Sequence, residues 1–202
     1  VEDRGYFYDV ADQQSALLYA IGEVDLGPQT VLSAGVQTQR IRSTTNMAGV
    51  PRYKDGGDIG LSRSTYLDAA WDRFNWDTTR VFADLEHRFG QGWTAKVSAN
   101  YLTADSNLKY AGAYGAIDRQ TGLGSRLMGG AYKFDNTQAS VDAYVSGPIQ
   151  LFGRRHELLL GGNAQRTTSE QYTGMFTPAL NVPVNVFDRD PHGVPEPGVG
   201  PY

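Results

Sequence analysis

The sequence predicts an all-β protein, an antiparallel up-and-down segment of a transmembrane β-barrel. Three observations lead to this fold class: stretches in which apolar and polar residues alternate, connections that are alternately short and long, and a composition of 24 glycines and 12 tyrosines in 202 residues. A period of two places one set of side chains on each face of a strand. Glycine suits turns and tyrosine suits strands, so the composition agrees with the pattern.

Six segments alternate in this way, and the hairpin VFADLEHRFGQGWTAKVSANY at residues 81–101 shows it most clearly. Each segment is about as long as the roughly 9–11 tilted residues that cross a bilayer. The face assignment of the first segment is ambiguous, because Leu17, Tyr19 and Ile21 place apolar residues on its polar face as well. The predicted strands are Ser15–Leu26, Val31–Ile41, Asp77–Phe89, Trp93–Ala104, Asn136–Ser146 and Arg155–Arg166.

The connections between these strands alternate in length. Residues 27–30, 90–92 and 147–154 form short turns, whereas residues 42–76 and 105–135 form long loops. Compact soluble domains rarely contain structureless loops longer than roughly 12–15 residues. Short turns at one edge and long loops at the other are typical of outer-membrane barrels, whose turns are periplasmic and whose loops are extracellular. We therefore expect about six strands arranged as three consecutive hairpins.

The apolar face of these strands is expected to meet lipid. Phe89 and Trp93 flank the turn at 90–92 on that face, where aromatic side chains form the girdle at the membrane interface. The polar face would then line an aqueous or plugged lumen. In a soluble β-sandwich the apolar face would instead pack on a second sheet. Alternation alone does not separate the two, but the small Ala and Gly residues of the apolar face and the unequal loops favour lipid.

Composition excludes several other classes of protein. The net charge is −4, so nothing indicates a nucleic-acid-binding surface. The absence of cysteine excludes disulfides and thiolate metal sites. No apolar run is long enough for a transmembrane helix. The chain begins at Val1 without a signal segment, so we expect a mature protein or a part of a longer one.

No group of residues indicates catalysis. The three histidines lie far apart in the sequence, so a metal site is not expected. Asp84 and Glu86 share one face of a strand, but we expect them to be lumen charges matched by Arg80, Arg88 or Lys96 across neighbouring strands rather than an acid and a base. The protein is therefore expected not to be an enzyme and to have no cofactor of its own.

Residues 49–101, GVPRYKDGGDIGLSRSTYLDAAWDRFNWDTTRVFADLEHRFGQGWTAKVSANY, resemble the TonB-dependent siderophore receptors, in particular the ferripyoverdine, ferric-coprogen and ferrioxamine group. The runs LSRSTYL, WDRFNWDTT and VFADLEHRF–GW look like early barrel strands of that group and the loop between them. The resemblance implies a barrel of about 22 strands with a plugged lumen in the outer membrane of a Gram-negative bacterium. It also implies iron transport by TonB-dependent import of a ferric siderophore. Iron is then present only as part of that ligand.

The chain departs from this family pattern, because it contains no plug domain, no TonB-contacting segment and only about six strands. Residues 1–202 are therefore expected to be a partial barrel domain that contacts siderophore and outer-membrane lipid, while TonB is contacted through an N-terminal region outside the chain. Two alternatives remain open from the residues alone. One is a segment of a passive, porin-like channel, and the other is a soluble all-β ligand-binding module.

The loops at 42–76 and 105–135 supply the candidate ligand-binding residues. Siderophore complexes are bulky, partly aromatic and often anionic, so aromatic faces and cations suit them. Trp76 and Arg80 are the first choice, because both have the parity of the polar face near the loop end of the third strand. The other candidates are Trp71, Tyr66, Tyr53, Tyr110 and Tyr114.

A packing role is the alternative for the aromatic residues of loop 42–76. The run TYLDAAWDRF, residues 65–74, could form a short capped helix that holds the loop down, with Thr65 and Asp68 at capping-box spacing. For Tyr110 and Tyr114 the alternative is a solvated, glycine-rich loop. The terminal run DRDPHGVPEPGVGPY, residues 188–202, is expected to be a disordered loop, because its prolines and glycines do not suit a strand interior.

Overall fold

The computed structural model describes residues 1–202 and contains a single large antiparallel sheet whose strands follow one another in chain order. β1 to β7 pair in sequence, β9 pairs with β6, and β8 pairs with β10 in a separate small ladder. None of the helical segments has the length and hydrophobicity needed to cross a membrane. The elements are β1 (Glu2–Gly5), β2 (Asp12–Gly27), β3 (Thr30–Ser43), β4 (Arg73–Arg88), the 3-10 helix η1 (Gly90–Gly92), β5 (Thr94–Tyr114), β6 (Arg126–Leu151), β7 (Arg154–Gly174), β8 (Phe176–Thr177), β9 (Val182–Pro183), the 3-10 helix η2 (Val186–Asp188) and β10 (Gly198–Val199).

The predicted all-β antiparallel fold class is confirmed. The six predicted strands correspond to β2–β7, and β1 adds a short seventh strand beside β2. The connections at residues 28–29, 89–93 and 152–153 lie at one end of the sheet, here named the turn end. Those at residues 44–72 and 115–125 lie at the opposite end, the loop end. The sheet does not close on itself.

The strands extend further toward the loop end than predicted. β5 continues to Tyr114 and β6 begins at Arg126, so the predicted loop 105–135 is wrong. Most of it is a paired hairpin, and only residues 115–125 form its tip. Beyond the apolar band neither face of this hairpin is required to be apolar. The backbone ladder therefore continues where the sequence pattern that identified the strand has ended. Residues 65–72 form turns and extended backbone, not a helix.

One face of the sheet, the apolar face, carries a broad band of exposed apolar side chains. Leu85, Val97, Val141 and Leu160 are 40%, 43%, 49% and 66% exposed. No second sheet covers this band, so the structure is not a β-sandwich. Large apolar surfaces of this kind are not left to water in a stable monomer, and the band is therefore the surface that meets lipid. The opposite face, which carries Arg80, is the polar face.

The buried core lies at the loop end, in an assembly of residues 44–72, 115–125 and 175–202 that packs on the ends of β5 and β6. We name this assembly the loop cap. It contains two groups of buried apolar side chains. The first group is Ile59, Leu67, Ala113, Ile117 and Val186, and the second is Ala69, Ala111 and Leu127.

The terminal stretch belongs to the loop cap, contrary to the expectation of disorder. The indole Nε1 of Trp71 donates to the carbonyl oxygen of Val194 at 3.0 Å. The Lys109 ammonium, on a side chain only 5% exposed, lies 2.7 Å from a Glu196 carboxylate oxygen, and Arg73 donates to the same oxygen at 2.8 Å. A buried ammonium is stable only with such partners, so these contacts hold the terminal stretch against β4 and β5.

Two carboxyl groups are buried in the loop cap. The amide of Ala111 donates to both oxygens of Asp72 at 2.9 and 3.0 Å, and the amide of Met47 donates to Asp68 at 2.6 Å. Burial in a medium of low polarity disfavours the ionised form. It raises the pKa of Asp72 to about 8 and the pKa of Asp68 to about 6, although these backbone amides act in the opposite direction. The folded cap therefore binds protons that the unfolded chain releases.

We expect the loop cap to lose stability as the pH rises from about 4 to about 8. A carboxyl group whose pKa is raised by folding stabilises the fold fully below its ordinary pKa of 3.8, and this contribution is lost as the pH rises through the folded value. Hydrogen exchange at the Ala111 amide, corrected for intrinsic rate, should show at least about tenfold less protection at pH 8 than at pH 5, since one pKa unit corresponds to about 1.4 kcal/mol.

Asp72→Asn is the matched control for this pH dependence. The amide side chain retains an oxygen that can accept from Ala111 and carries no charge at either pH, so most of the difference between pH 5 and pH 8 should disappear. Equal or greater protection of the unmodified protein at pH 8 would contradict the buried-carboxyl explanation.

On the polar face, the ring of Phe82 lies over Gly35 of the neighbouring strand. A Cβ atom at Gly35 would lie 2.4 Å from the ring and 2.6 Å from the backbone oxygen of Ala20. The Tyr19 ring stacks on the Phe82 ring, with 5.9 Å between the two ring centres. The Arg80 guanidinium lies 5.1 Å from the Phe82 ring centre. The absence of a side chain at Gly35 is what allows this packing.

Gly35→Ala is expected to destabilise the barrel by about 1–3 kcal/mol, the usual cost of overpacking. Gly22→Ala is the control, because Gly22 lies on the adjacent strand and a Cβ there meets nothing within 4 Å. The free energy of unfolding, measured by denaturant titration of the protein in its complete reading frame in lipid vesicles, should fall for Gly35→Ala only. Equal values for the two variants would refute the steric role of Gly35.

Candidate functional site

The polar face carries a group of half-buried aromatic rings near the loop end, on three adjacent strands. We name this group the aromatic platform. It arises because β4, β5 and β6 continue with a period of two beyond the apolar band. Every second residue of each strand therefore stays on the polar face. Its members are Phe74 and Trp76 of β4, Tyr110 of β5, and Tyr132 and Phe134 of β6.

The strand register places the rings of β4 and β6 on either side of β5. Trp76 and Phe134 both pair with Ser106. Neighbouring strands lie about 4.8 Å apart, so these two residues begin roughly 10 Å from each other. Ser106 is buried between them, and its hydroxyl has no hydrogen-bond partner in the structure. The platform thus has aromatic sides and a small polar group beneath.

Some of the platform rings lie nearly parallel to one another. Tyr132 stacks on Tyr110 with ring centres 6.2 Å apart at 11°, and on Phe134 with centres 6.3 Å apart at 19°. Phe74 and Trp76 are 5.0 Å apart and tilted by 51°. Flat, partly exposed rings of this kind can stack on a planar aromatic group of a ligand.

Arg80 supplies a positive charge on the same face, four residues closer to the turn end than Trp76. Its Nε donates to the Asn100 side-chain oxygen at 2.9 Å, and its guanidinium rests on Phe82. It forms no salt bridge in the structure. A guanidinium held by neutral groups keeps its full charge available to an anion.

The carboxylates closer to the turn end are paired, as expected. Asp84 lies 3.8 Å from the Lys96 ammonium, and Glu86 lies 2.9 Å from the Arg88 guanidinium. These contacts account for the two acidic residues as charges of the polar face. The described side chains contain no cluster of three or more His, Asp or Glu positioned to hold a metal ion.

Four of the candidate ligand-binding residues lie on the polar face. Trp76 and Arg80 have the predicted parity, since Trp76 pairs with Ser106 and Arg80 with Leu102. Tyr110 and Tyr114 lie in β5 rather than in the predicted loop, and Tyr114 follows Tyr110 on the same face. The structure therefore brings Trp76 and Tyr110 into one aromatic group, with Tyr114 beyond it toward the loop end.

The other three candidates are held by contacts within the loop cap. Tyr66 is 3% exposed, and its hydroxyl donates to the Thr45 carbonyl at 2.6 Å. Trp71 packs against Lys109 and the terminal stretch, as described above. The Tyr53 ring lies 4.0 Å from the Arg119 guanidinium. These contacts favour the packing role for all three, although the short helix expected to provide it is absent.

Three members of the platform, Phe74, Tyr132 and Phe134, were not among the candidate residues selected from the sequence. For Tyr132 and Phe134 a signal existed in the sequence, since they are spaced two apart, as residues on one face of a strand are. It was missed because this run was assigned to a loop, where parity has no meaning. The unpartnered hydroxyl of Ser106 has no sequence signal, because its burial depends on rings from two other strands.

Phe89 and Trp93 flank the turn between β4 and β5 on the apolar face. The Phe89 amide donates to the Trp93 carbonyl at 2.8 Å, and Phe89 is 46% exposed. The Trp93 ring lies over Gly147 of β6, where a Cβ atom would clash with it. Both rings stand at the turn-end limit of the apolar band. Their role in an interfacial girdle stays a prediction.

The chain is similar in sequence to receptors for ferric pyoverdines, although no protein-family model matches it. It is 34% identical over 202 residues to the ferric-pyoverdine M114 receptor of Pseudomonas sp. (strain M114), covering 100% of this chain and 24% of that receptor. It is 29% identical to the ferric-pyoverdine 358 receptor of Pseudomonas putida, covering 98% of this chain and 24% of the relative.

The fold is similar to that of a receptor of known structure, the ferripyoverdine receptor of the outer membrane of Pseudomonas aeruginosa bound to ferripyoverdine. The TM-score is 0.87 at 25% identity, over 98% of this chain and 27% of that one. The chain thus spans about a quarter of the length of these proteins, each of which is named as a receptor. Over its whole length the chain is therefore similar to a β-barrel segment of ferric-pyoverdine receptors, which are siderophore receptors of the Gram-negative outer membrane.

Proposed function

We propose that the protein takes part in the TonB-dependent uptake of a ferric siderophore of the pyoverdine type, and that this segment supplies part of the extracellular ligand-binding surface. The observation that carries the proposal is the position of the aromatic platform. It lies on the polar face at the loop end, on the lumen side where a ligand arriving from outside the cell is first met. The names of the relatives support the class of ligand.

The chemistry of the site suits such a ligand. Platform rings can stack on an aromatic part of the ligand, and Arg80 can attract the negative charge of a ferric chelate. Iron enters as part of the ligand, so the segment needs no metal-binding residues and no cofactor of its own. Contact with TonB is assigned to a part of the receptor outside these 202 residues.

Neither alternative function fits as well. A soluble binding module would have to cover the apolar band, which stays exposed in the structure. A passive porin needs inward charges but no grouped aromatic rings on the polar face. Likeness to receptors over the entire chain also favours ligand-driven uptake.

Trp76→Ala and Arg80→Ala are expected to weaken ferric-pyoverdine binding by the protein in its complete reading frame. Stacking and cation–π contacts contribute roughly 0.5–2 kcal/mol each, which corresponds to about a 2- to 30-fold rise in Kd. Titration of the purified receptor, followed by intrinsic fluorescence or calorimetry, measures this change.

Trp93→Ala and Arg88→Ala are the matched controls, because they remove the same residue types at the turn end, away from the platform. Their Kd values should equal that of the unmodified protein. The proposal fails if Trp76→Ala and Arg80→Ala both bind as tightly as the controls.

A further inference from the structure

Residues 66–72 form the central segment of the loop cap and contact two other parts of the chain through their backbone. The amide of Ala69 donates to the carbonyl oxygen of Ala111 in β5 at 2.9 Å. The amide of Ala70 donates to the carbonyl oxygen of Pro191 in the terminal stretch, also at 2.9 Å. The segment therefore joins the end of β5 to the terminal stretch.

The same segment closes the loop end of the ladder between β4 and β5. The ladder ends at Arg73, and immediately beyond it the Ala111 amide donates to both carboxyl oxygens of Asp72. Two residues of the aromatic platform lie beside this contact, since Phe74 follows Arg73 and Tyr110 precedes Ala111. Strand ends that lack such bonds open locally at little cost in free energy. The Asp72 contact therefore holds the part of the ladder that carries these two rings.

Asp68 lies against β5 one residue further along the strand. A Cβ atom at Gly112 would lie 2.6 Å from Oδ1 of Asp68, so the missing side chain of Gly112 allows this approach. Oδ2 accepts from the Met47 amide, whereas Oδ1 is buried and has no hydrogen-bond partner in the structure. A buried carboxylate needs donors at both oxygens to remain ionised. The surroundings of Asp68, which is 0% exposed, therefore suit its protonated form.

Neither carboxyl group is paired with a cation. Asp68 and Asp72 form no salt bridge in the structure. The half-buried guanidinium of Arg189 donates instead to the backbone carbonyl oxygens of Leu67 and Asp68, at 3.3 and 3.4 Å. Ionisation of either carboxyl group would therefore leave a buried charge without a close partner, which strongly opposes the folded form.

The other charged or titratable groups near the pair do not compensate it. The two cations at the ends of β4 and β5, Arg73 and Lys109, are both paired with Glu196. Residues 44–48 contain no titratable side chain and contribute backbone amides. The remaining groups are phenols and one further carboxylate: Tyr66 on the same segment, Tyr114 of β5, and Asp190 beside Arg189.

We infer that the buried carboxyl groups of Asp68 and Asp72 link ligand binding to proton uptake. When the pair ionises, residues 66–72 leave β5 and the platform rings at the end of the ladder lose their support. A ligand that stacks on these rings binds the protonated form more tightly, because the site is then preorganised, and binding draws the segment back onto β5. The inference rests on the proposed function, since the ligand is the ferric siderophore assigned to the aromatic platform.

The direction of the pH dependence follows from mass action. Binding takes up protons, so the Kd rises as the pH rises. The rise continues up to about pH 8, because the pKa of Asp72 in the folded cap is raised by burial to about 8 and the bound form also loses its proton above that value. Asp68, with a pKa raised to about 6, contributes only at lower pH.

The test is calorimetric titration of the receptor in its complete reading frame with ferric pyoverdine, in two buffers of different ionisation heat. The difference in heat between the buffers gives the number of protons taken up. Near pH 7.5 the unmodified protein should take up roughly 0.5–1 proton more per ligand than Asp72→Asn, as a folded pKa of about 8 requires. From pH 6 to pH 8 its Kd should rise about tenfold more than that of the variant. The titration of the ligand itself is common to both proteins and cancels.

Asp58→Asn is the matched control for the loss of a carboxyl group. Asp58 is an exposed carboxylate of the same loop cap and accepts from the Gly60 amide at 2.8 Å, a bond that asparagine can retain. Its proton uptake and its pH dependence of Kd should equal those of the unmodified protein.

A second measurement needs no substitution and therefore does not depend on the folding of a variant. At pH 8, saturating ferric pyoverdine should restore the hydrogen-exchange protection of the Ala111 amide to its level at pH 5. The inference is overturned if the ligand leaves this exchange unchanged, or if Asp72→Asn takes up as many protons as the unmodified protein. In both cases the ligand still binds and the proposed function stands. Absence of binding by the unmodified protein at every pH would instead refute the proposed function, and this inference with it.

Discussion

The backbone hydrogen-bond ladder is the constraint on which every other feature of this protein depends. Hydrocarbon offers no alternative partner for an amide or a carbonyl, so a chain that crosses a membrane as strands must pair them continuously. Of 112 backbone hydrogen bonds, 93 lie within helices and strands, and the ladders between β2 and β7 run through the entire apolar band. Continuous pairing also sets the two faces at once, because a shift of one residue would exchange them along a whole strand.

Lipid contact changes where the protein can build a core. The apolar side chains of the band are covered by the membrane and not by each other, so they form no interior of their own. The buried side chains lie instead in the loop cap. This part of the protein is surrounded by water, so that the burial of apolar surface stabilises the fold there. Buried charges are held there by close partners, as Lys109 is held by Glu196. The aromatic platform and the apolar band thus belong to opposite faces of the same strands, and each depends on the alternation that the ladder imposes.

Much of the site was accessible to sequence reasoning, and the part that was missed has a common cause. Trp76 and Arg80 were assigned to the polar face correctly, because parity is local and continues from the well-defined hairpin at 81–101. Tyr110 was assigned to a loop, and Phe134 was overlooked, because both lie beyond the apolar band. Beyond the band neither face of the sheet has to be apolar. The alternation of apolar and polar residues therefore ends, although the backbone pairing continues. The helix expected at 65–74 fails for a different reason: its residues are held by contacts with β5 and the terminal stretch, including the bond from Ala111 to Asp72.

The amino-acid sequence by itself determined the strand type, the two faces, the short turns and the kinship with siderophore receptors, since each rests on residues close together in the chain. Only the tertiary structure decided which side chains meet across strands. That Trp76 and Phe134 flank Ser106, and that Tyr101 and Arg166 flank Ala139, follows from the registers of separate ladders. Register joins residues dozens of positions apart and is set by turn geometry and by the fit of whole strands, so no local pattern encodes it.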